Sequence, residues 1–225
     1  MSPSPFLGEF AGTALLLTMG CGVVANVVLN KTKGNNSGWI VITFGWAMAV
    51  FLGVFASTTM GGGGHLNPAV TIAMYFFNDG FDKALLPTYL GAQFAGAFVG
   101  ALVVWVCYKQ HFDETEDKGL RLAVFSTGPA IRNPFFNFLT EMIGTFILVF
   151  GALNMSPSET SLGTLNALPV ALLVLGIGLS LGGPTGYAIN PARDLGPRIA
   201  HFILPMKNKG SSDWSYCWVP RLGPI

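Results

Sequence analysis

Two stretches decide how this chain folds: Gly61-Gly62-Gly63-Gly64-His65-Leu66-Asn67-Pro68-Ala69-Val70-Thr71 and Gly182-Gly183-Pro184-Thr185-Gly186-Tyr187-Ala188-Ile189-Asn190-Pro191-Ala192-Arg193-Asp194. Each leads from a glycine-rich loop into Asn-Pro-Ala. Asn at the cap accepts from the first free backbone N–H groups, and Pro at the first helical position has no N–H to lose. The apolar segments that follow run only to about Phe77 and Phe202. Ten residues of helix cover about 15 Å, half of a hydrocarbon core of about 30 Å. Both are therefore expected to be re-entrant half-helices. One such triplet alone is an ordinary helix cap; two, each after a glycine loop and each opening a half-length apolar segment, are a pattern.

Around them lie longer apolar segments: Phe6–Leu29 with one charge, Glu9; Trp39–Met60 and Ala84–Tyr108 with none; Phe135–Leu153 with one, Glu141; and the shorter Leu165–Leu181 with none. In lipid these should be helices, because a helix satisfies its own backbone groups within one segment. The composition agrees. Hydrophobic residues make up 51%, charged residues 10%, and mean hydropathy is +0.54. A soluble domain carries about 25% charged residues. A net charge of +1 offers no field for nucleic acid. Cys21, Cys107 and Cys217 show no metal or disulfide spacing and read as small apolar fillers. The first apolar run has no basic residues before it and is too long for a signal-peptide core, so it is expected to be retained.

The two halves repeat each other. Gly8-Glu9-Phe10-Ala11-Gly12-Thr13 matches Thr140-Glu141-Met142-Ile143-Gly144-Thr145, and in each half the Asn-Pro-Ala segment follows after a span and a glycine loop. Leu90-Gly91-Ala92 and the residues after it match Val219-Pro220-Arg221 loosely. Each half reads span, span, half-helix, span. An odd number of crossings per repeat inverts the second against the first, an arrangement suited to a transport pathway. The expectation is one all-α transmembrane channel domain over residues 1–225, with repeats at about 1–110 and 134–225. The sequence reaches Ile225 as the last span would begin, so the sixth helix is expected to lie beyond it.

Two helix N-termini meeting at the midplane focus partial positive charge on the pore centre. Asn67 and Asn190 are expected to donate hydrogen bonds into the lumen, hold a passing oxygen as an acceptor, and interrupt proton relay. Arg193 is a charge at membrane depth. Such a charge marks a pathway or a paired group, and Asp194 is the partner to weigh. Asp194 is otherwise expected to brace the loop and the helix start. Glu9 and Glu141 read either as a proton relay or as braces for the irregular loops; their symmetric placement favours braces. His65 reads as a hydrogen-bonded loop residue, with a gate or pH sensor as the alternative.

These motifs strongly resemble the major intrinsic protein (aquaporin) family, and within it the aquaglyceroporin branch that includes the bacterial glycerol facilitators. The likeness rests on His65 to Thr71 and on Gly186 to Arg198, and extends over nearly the whole chain. It implies six tilted helices plus two half-helices, a pore in every protomer, a homotetramer in the plasma membrane, and a cytoplasmic N-terminus. It also implies a constriction built from Trp46, Gly178, Tyr187 and Arg193, with Gly178 making room for the Tyr187 ring. Water-selective relatives narrow this point with a His, and none of the four positions holds one. The loop before His65 is one residue longer than in many relatives.

Charge distribution conflicts with that orientation. The segments on the N-terminal side (the start, 61–83 and 154–164) hold only Lys83. The opposite side holds Lys31, Lys33, Lys109, Lys118, Arg121, Arg132, Lys207 and Lys209. The positive-inside rule alone puts the N-terminus outside. The family orientation is preferred, with a C-terminal tail expected to carry the missing charges.

The resulting expectation is a passive channel for glycerol, water and small neutral solutes. The alternatives are a water-selective or other small-solute channel (urea, lactic acid), or a proton-coupled transporter using Glu9 and Glu141. No nucleotide loop, metal cluster or nucleophile–base arrangement is evident, so neither a cofactor nor enzyme activity is expected.

Overall fold

A computed structural model describes residues 3–155, 163–207 and 209–225. Part of the 154–164 segment counted in the charge comparison thus lies outside the described residues. All the elements described are helical. In chain order they are α1 Pro5–Val28, α2 Trp39–Thr59, α3 Pro68–Phe77, α4 Leu86–Cys107, α5 Lys109–Glu114, α6 Lys118–Phe125, α7 Pro134–Asn154, α8 Leu168–Leu181, α9 Pro191–Ile203 and α10 Val219–Leu222.

Helices α1, α2, α4 and α7 are long and apolar enough to cross a membrane. Helix α8 has 14 residues and is preceded by a 3-10 turn, Gly163–Ala167. Four helices start on Pro at one of their first two positions after a capping side chain: α1 on Ser4, α3 on Asn67, α7 on Asn133 and α9 on Asn190. Each of those side chains accepts a hydrogen bond from an N–H that the helix itself leaves unpaired. Helix α10 begins where the repeat pattern places its last span.

Helix α1 is the hub, packing most extensively on α4 and α2. Glycine allows the close approach. A Cβ at Gly100 would lie 2.5 Å from the Ala14 carbonyl oxygen, closer than real side chains come. The outward faces stay apolar: Ile40, Phe44 and Phe55 on α2, and Phe135, Ile143, Phe146 and Phe150 on α7, are exposed. So large an apolar surface suits hydrocarbon rather than water.

Two short helices, α5 and α6, fill the 109–125 connection, whose Lys109, Lys118 and Arg121 entered the sequence analysis only as charges. With α9 and residues 204–207 and 209–218 they cap one side of the bundle. Arg121 in α6 is buried there, donating to the Thr115 and Lys207 carbonyls.

Candidate functional site

Helices α3 and α9 meet N-terminus to N-terminus inside the bundle. Asn67 and Asn190 cap them from extended backbone. The Oδ1 of Asn67 accepts from the Ala69 N–H at 2.9 Å; that of Asn190 accepts from Ala192 at 3.0 Å and Arg193 at 3.2 Å. Their Nδ2 atoms then cross over. Asn67 donates to the Ile189 carbonyl at 2.7 Å, and Asn190 donates to the Leu66 carbonyl at 2.9 Å. A primary amide has two N–H groups, so each Asn keeps one for the lumen; the expectation of lumen donors is narrowed to that one. Pro68, Ala69, Pro191 and Ala192 are buried and form the abutting first turns.

The crossing requires strained backbone. Leu66 and Ile189 have φ of +52° and +43°. This region is costly for branched side chains and survives only where the surroundings enforce it. In each loop a carboxylate does so. Glu9 Oε1 accepts from the His65 N–H at 3.0 Å and Oε2 from Leu66 at 2.8 Å. Glu141 accepts from Ala188 at 3.0 Å and Ile189 at 2.8 Å. Ser57 and Gln93 also donate to Glu9, at 3.1 and 2.8 Å. Both carboxylates are buried, and each gives both of its oxygens to backbone N–H groups of its loop.

Two cavities lie along the axis. The larger, about 450 Å³, is lined by His65, Asn67, Asn190 and apolar groups including Leu16, Val50 and Leu148. The smaller, about 260 Å³, opens towards Ser126–Ala130 and Gly182–Gly186. Trp46, Tyr187 and Arg193 line both, so these three form the ring between them. The Arg193 guanidinium carbon sits 4.4 Å from the Trp46 ring centroid, a cation–π contact. Among the described residues, no protein group accepts a hydrogen bond from that guanidinium. Gly178 lies behind the ring: a Cβ there would come within 2.9 Å of Tyr187 Cζ.

Asp194 does not pair with Arg193. Neighbouring helical residues point apart, whereas positions four apart share a face. Its partner is Arg198, at 2.8 Å and fully buried. Sequence reading missed this pair, although the i,i+4 spacing carried the signal. Asp194 also accepts from the N–H and Oγ1 of Thr127, both at 2.9 Å, and so ties α9 to the 126–130 loop. His65 is a loop residue with its Nδ1 3.2 Å from Thr71 Oγ1 and its ring against Tyr89 and Phe81, at the wider cavity.

This geometry has counterparts. The model of the family "Major intrinsic protein" matches residues 3–225. Glycerol uptake facilitator protein 3 of Lactiplantibacillus plantarum is 54% identical over 219 residues, covering 97% of this chain and 90% of that protein. A probable glycerol uptake facilitator of Thermotoga maritima is 55% identical, covering 99% and 94%. The X-ray structure of the aquaglyceroporin from Plasmodium falciparum overlays with a TM-score of 0.84 at 34% identity, covering 98% of this chain and 89% of that one. Inverted repeats, two abutting half-helices and this breadth of similarity lead to one conclusion: the chain belongs to the major intrinsic protein family.

Proposed function

We propose that this protein is a passive channel that lets glycerol, water and small neutral solutes diffuse across the membrane while excluding protons and ions. The observation that carries the reading is the ring of Trp46, Tyr187 and Arg193 shared by both cavities, with the Arg193 guanidinium uncommitted to any acceptor among the described residues. Two aromatic side chains present an apolar wedge to a carbon backbone, and the guanidinium offers planar donors to hydroxyls. Gly178 leaves the space that the Tyr187 ring occupies. Relatives named as glycerol uptake facilitators, matched over 90% and 94% of their length, support the same reading.

At the midplane, Asn67 and Asn190 hold each passing oxygen as an acceptor. The half-helix N-termini behind Pro68-Ala69 and Pro191-Ala192 repel cations. Glu9 and Glu141 act as braces rather than as a proton relay. Each accepts two backbone N–H groups from the loop ahead of an Asn-Pro-Ala triplet, which is the work of a brace. No catalysis belongs to this function.

Residues 1–225 act as one channel domain of two inverted repeats. We place the N-terminus in the cytoplasm, the protein in the plasma membrane, and four copies in the assembly, on the family resemblance. A cysteine introduced at Glu116, exposed on the capped side, tests the orientation in a Cys107→Ser background that keeps only the buried Cys21 and Cys217. It should react with an impermeant maleimide added to intact cells; labelling only after lysis reverses the topology.

Stopped-flow light scattering of proteoliposomes under a glycerol gradient tests the function. Glycerol entry well above that of empty liposomes, indifferent to a pH gradient, is expected. Fast water flux without glycerol entry would leave a water channel, and saturable uptake driven by the pH gradient would leave a transporter.

A further inference from the structure

The ring between the cavities needs something to hold its walls apart, because Tyr187 is poorly anchored by itself. Its backbone is left-handed, at φ +39°, and among the described residues its hydroxyl has no protein partner. What fixes the ring is what surrounds it. A Cβ at Gly182 would lie 2.6 Å from Tyr187 Cδ1, and one at Gly178 would lie 2.9 Å from Cζ, so the ring rests on the bare backbone of α8. Trp39 closes the remaining edge, with ring centroids 5.8 Å apart at 77°.

Trp39 also holds the backbone under the ring. Its indole N–H donates to the Gly178 carbonyl at 3.0 Å. That carbonyl belongs to the last turn of α8, whose four final carbonyls have no partner within the helix. One side chain therefore caps α8 and packs on Tyr187 at once. Trp39 is also the first residue of α2, and Trp46, the facing wall, stands seven residues later. Seven residues are about two turns, so both indoles leave the same face of α2, about 10 Å apart along its axis. One wall of the ring is Trp46 itself. The other is joined to the same helix through Trp39.

We propose that Trp39 is a positioning residue for the constriction: by holding Gly178 and Tyr187 against α2 it sets the gap between Tyr187 and Trp46, and so the largest solute that passes. The proposal rests on reading the ring as the solute filter.

The test compares wild type, Trp39→Phe and Trp39→Leu in proteoliposomes, with ribitol, glycerol and water as probes. The readout is the ratio of ribitol to glycerol permeability, in which the number of folded channels cancels. Trp39→Phe keeps an aromatic edge but loses the N–H and part of the ring; Trp39→Leu loses the aromatic edge as well. The loss of one hydrogen bond should raise the ratio about threefold in Trp39→Phe, with a larger rise in Trp39→Leu. An unchanged ratio in Trp39→Phe, or all permeabilities falling together at a constant ratio, overturns the proposal, and Trp39→Phe decides it even if Trp39→Leu does not fold. Wild-type protein that passed water but no glycerol would instead sink the filter reading. Normal glycerol flux with unmoved ratios would sink only the role of Trp39.

Discussion

At Asn67 and Asn190 the two repeats share their chemistry, and one residue past the triplets they part. Each Asn caps its helix, crosses to the other repeat's carbonyl, and follows a left-handed residue braced by a buried carboxylate. Then α3 continues with Val70 and Thr71, and α9 with Arg193 and Asp194. Helix α3 carries no charged residue. Thr71 makes neutral bonds, donating to the Asn67 carbonyl and accepting from Gln93. Helix α9 buries an ion pair in which Arg198 spends every N–H: two on Asp194 and one each on the carbonyls of Thr127, Ser212 and Asp213. Buried charge is expensive and persists where it is fully partnered. The shared half of the site holds the midplane together. The unshared half holds a loop over the smaller cavity and leaves Arg193, beneath it, stacked on Trp46 with no hydrogen-bond acceptor for its guanidinium among the described residues.

Substitutions can break or sharpen this contrast. The largest effect is expected from Asp194→Ala, which strands Arg198 and should cost about 3–5 kcal/mol, read as a steep loss of thermal stability in detergent; a mild cost would mean that the clamp is dispensable. Next come Glu9→Gln and Glu141→Gln. Each sets an amide N–H against a backbone N–H and should cost about 2–3 kcal/mol. Comparable melting shifts keep the two braces equivalent, whereas a shift in one repeat alone breaks the symmetry. Gly20→Ala probes the filter. Its counterpart in the second repeat, Ala152, already carries a methyl. At Gly20 that methyl would lie 2.5 Å from Trp46 Cε3 and Cη2, so the indole has to move. Glycerol permeability should fall about tenfold, worth about 1.4 kcal/mol, and unchanged flux would remove Trp46 from the filter. Thr71→Val, the neutral partner of the Asp194 experiment, should cost only about 1 kcal/mol; a loss rivalling that of Asp194→Ala would erase the contrast between the two helices.

The smallest effect lies outside the membrane. Hydrogen bonding to Lys31, and then its charge, hold the Glu114 carboxyl below its ordinary value of 4.5. A carboxyl depressed in the folded state stabilises above its unfolded value, and that contribution is lost as pH falls through the folded one. Stability should therefore decline slightly below pH 4.5, with the decline reduced in Lys31→Ala. An identical acid profile in that variant would dissociate the pair from stability.

Much of this was legible from periodicity and punctuation. The five spans and two half-helices lie within three residues of where hydropathy and Asn-Pro placed them, because membrane-length apolar runs have few alternatives. The Glu9–Glu141 correspondence was readable as internal repetition. What escaped depends on approach between distant segments. The charged 109–125 stretch gives no hint that α5 and α6 form or that Arg121 is buried, since its acceptors are carbonyls, which every residue has. Arg198 could be read as four residues from Asp194, but not as the anchor of the 126–130 loop. Leu66 and Ile189 violate local preference outright; only the packed carboxylates and the opposite Asn make a left-handed leucine or isoleucine tolerable.

The crossed bonds at the midplane have a consequence for how the channel comes into being. Asn67 finds its acceptor at residue 189, and Asn190 finds its own at residue 66. During synthesis the first half-helix therefore waits, with a buried amide and a strained carbonyl both lacking their match, until more than half of the chain has followed. Neither repeat can finish its own lumen. The latch closes for both together, so a half-built protein has no selective conduit and cannot leak through one.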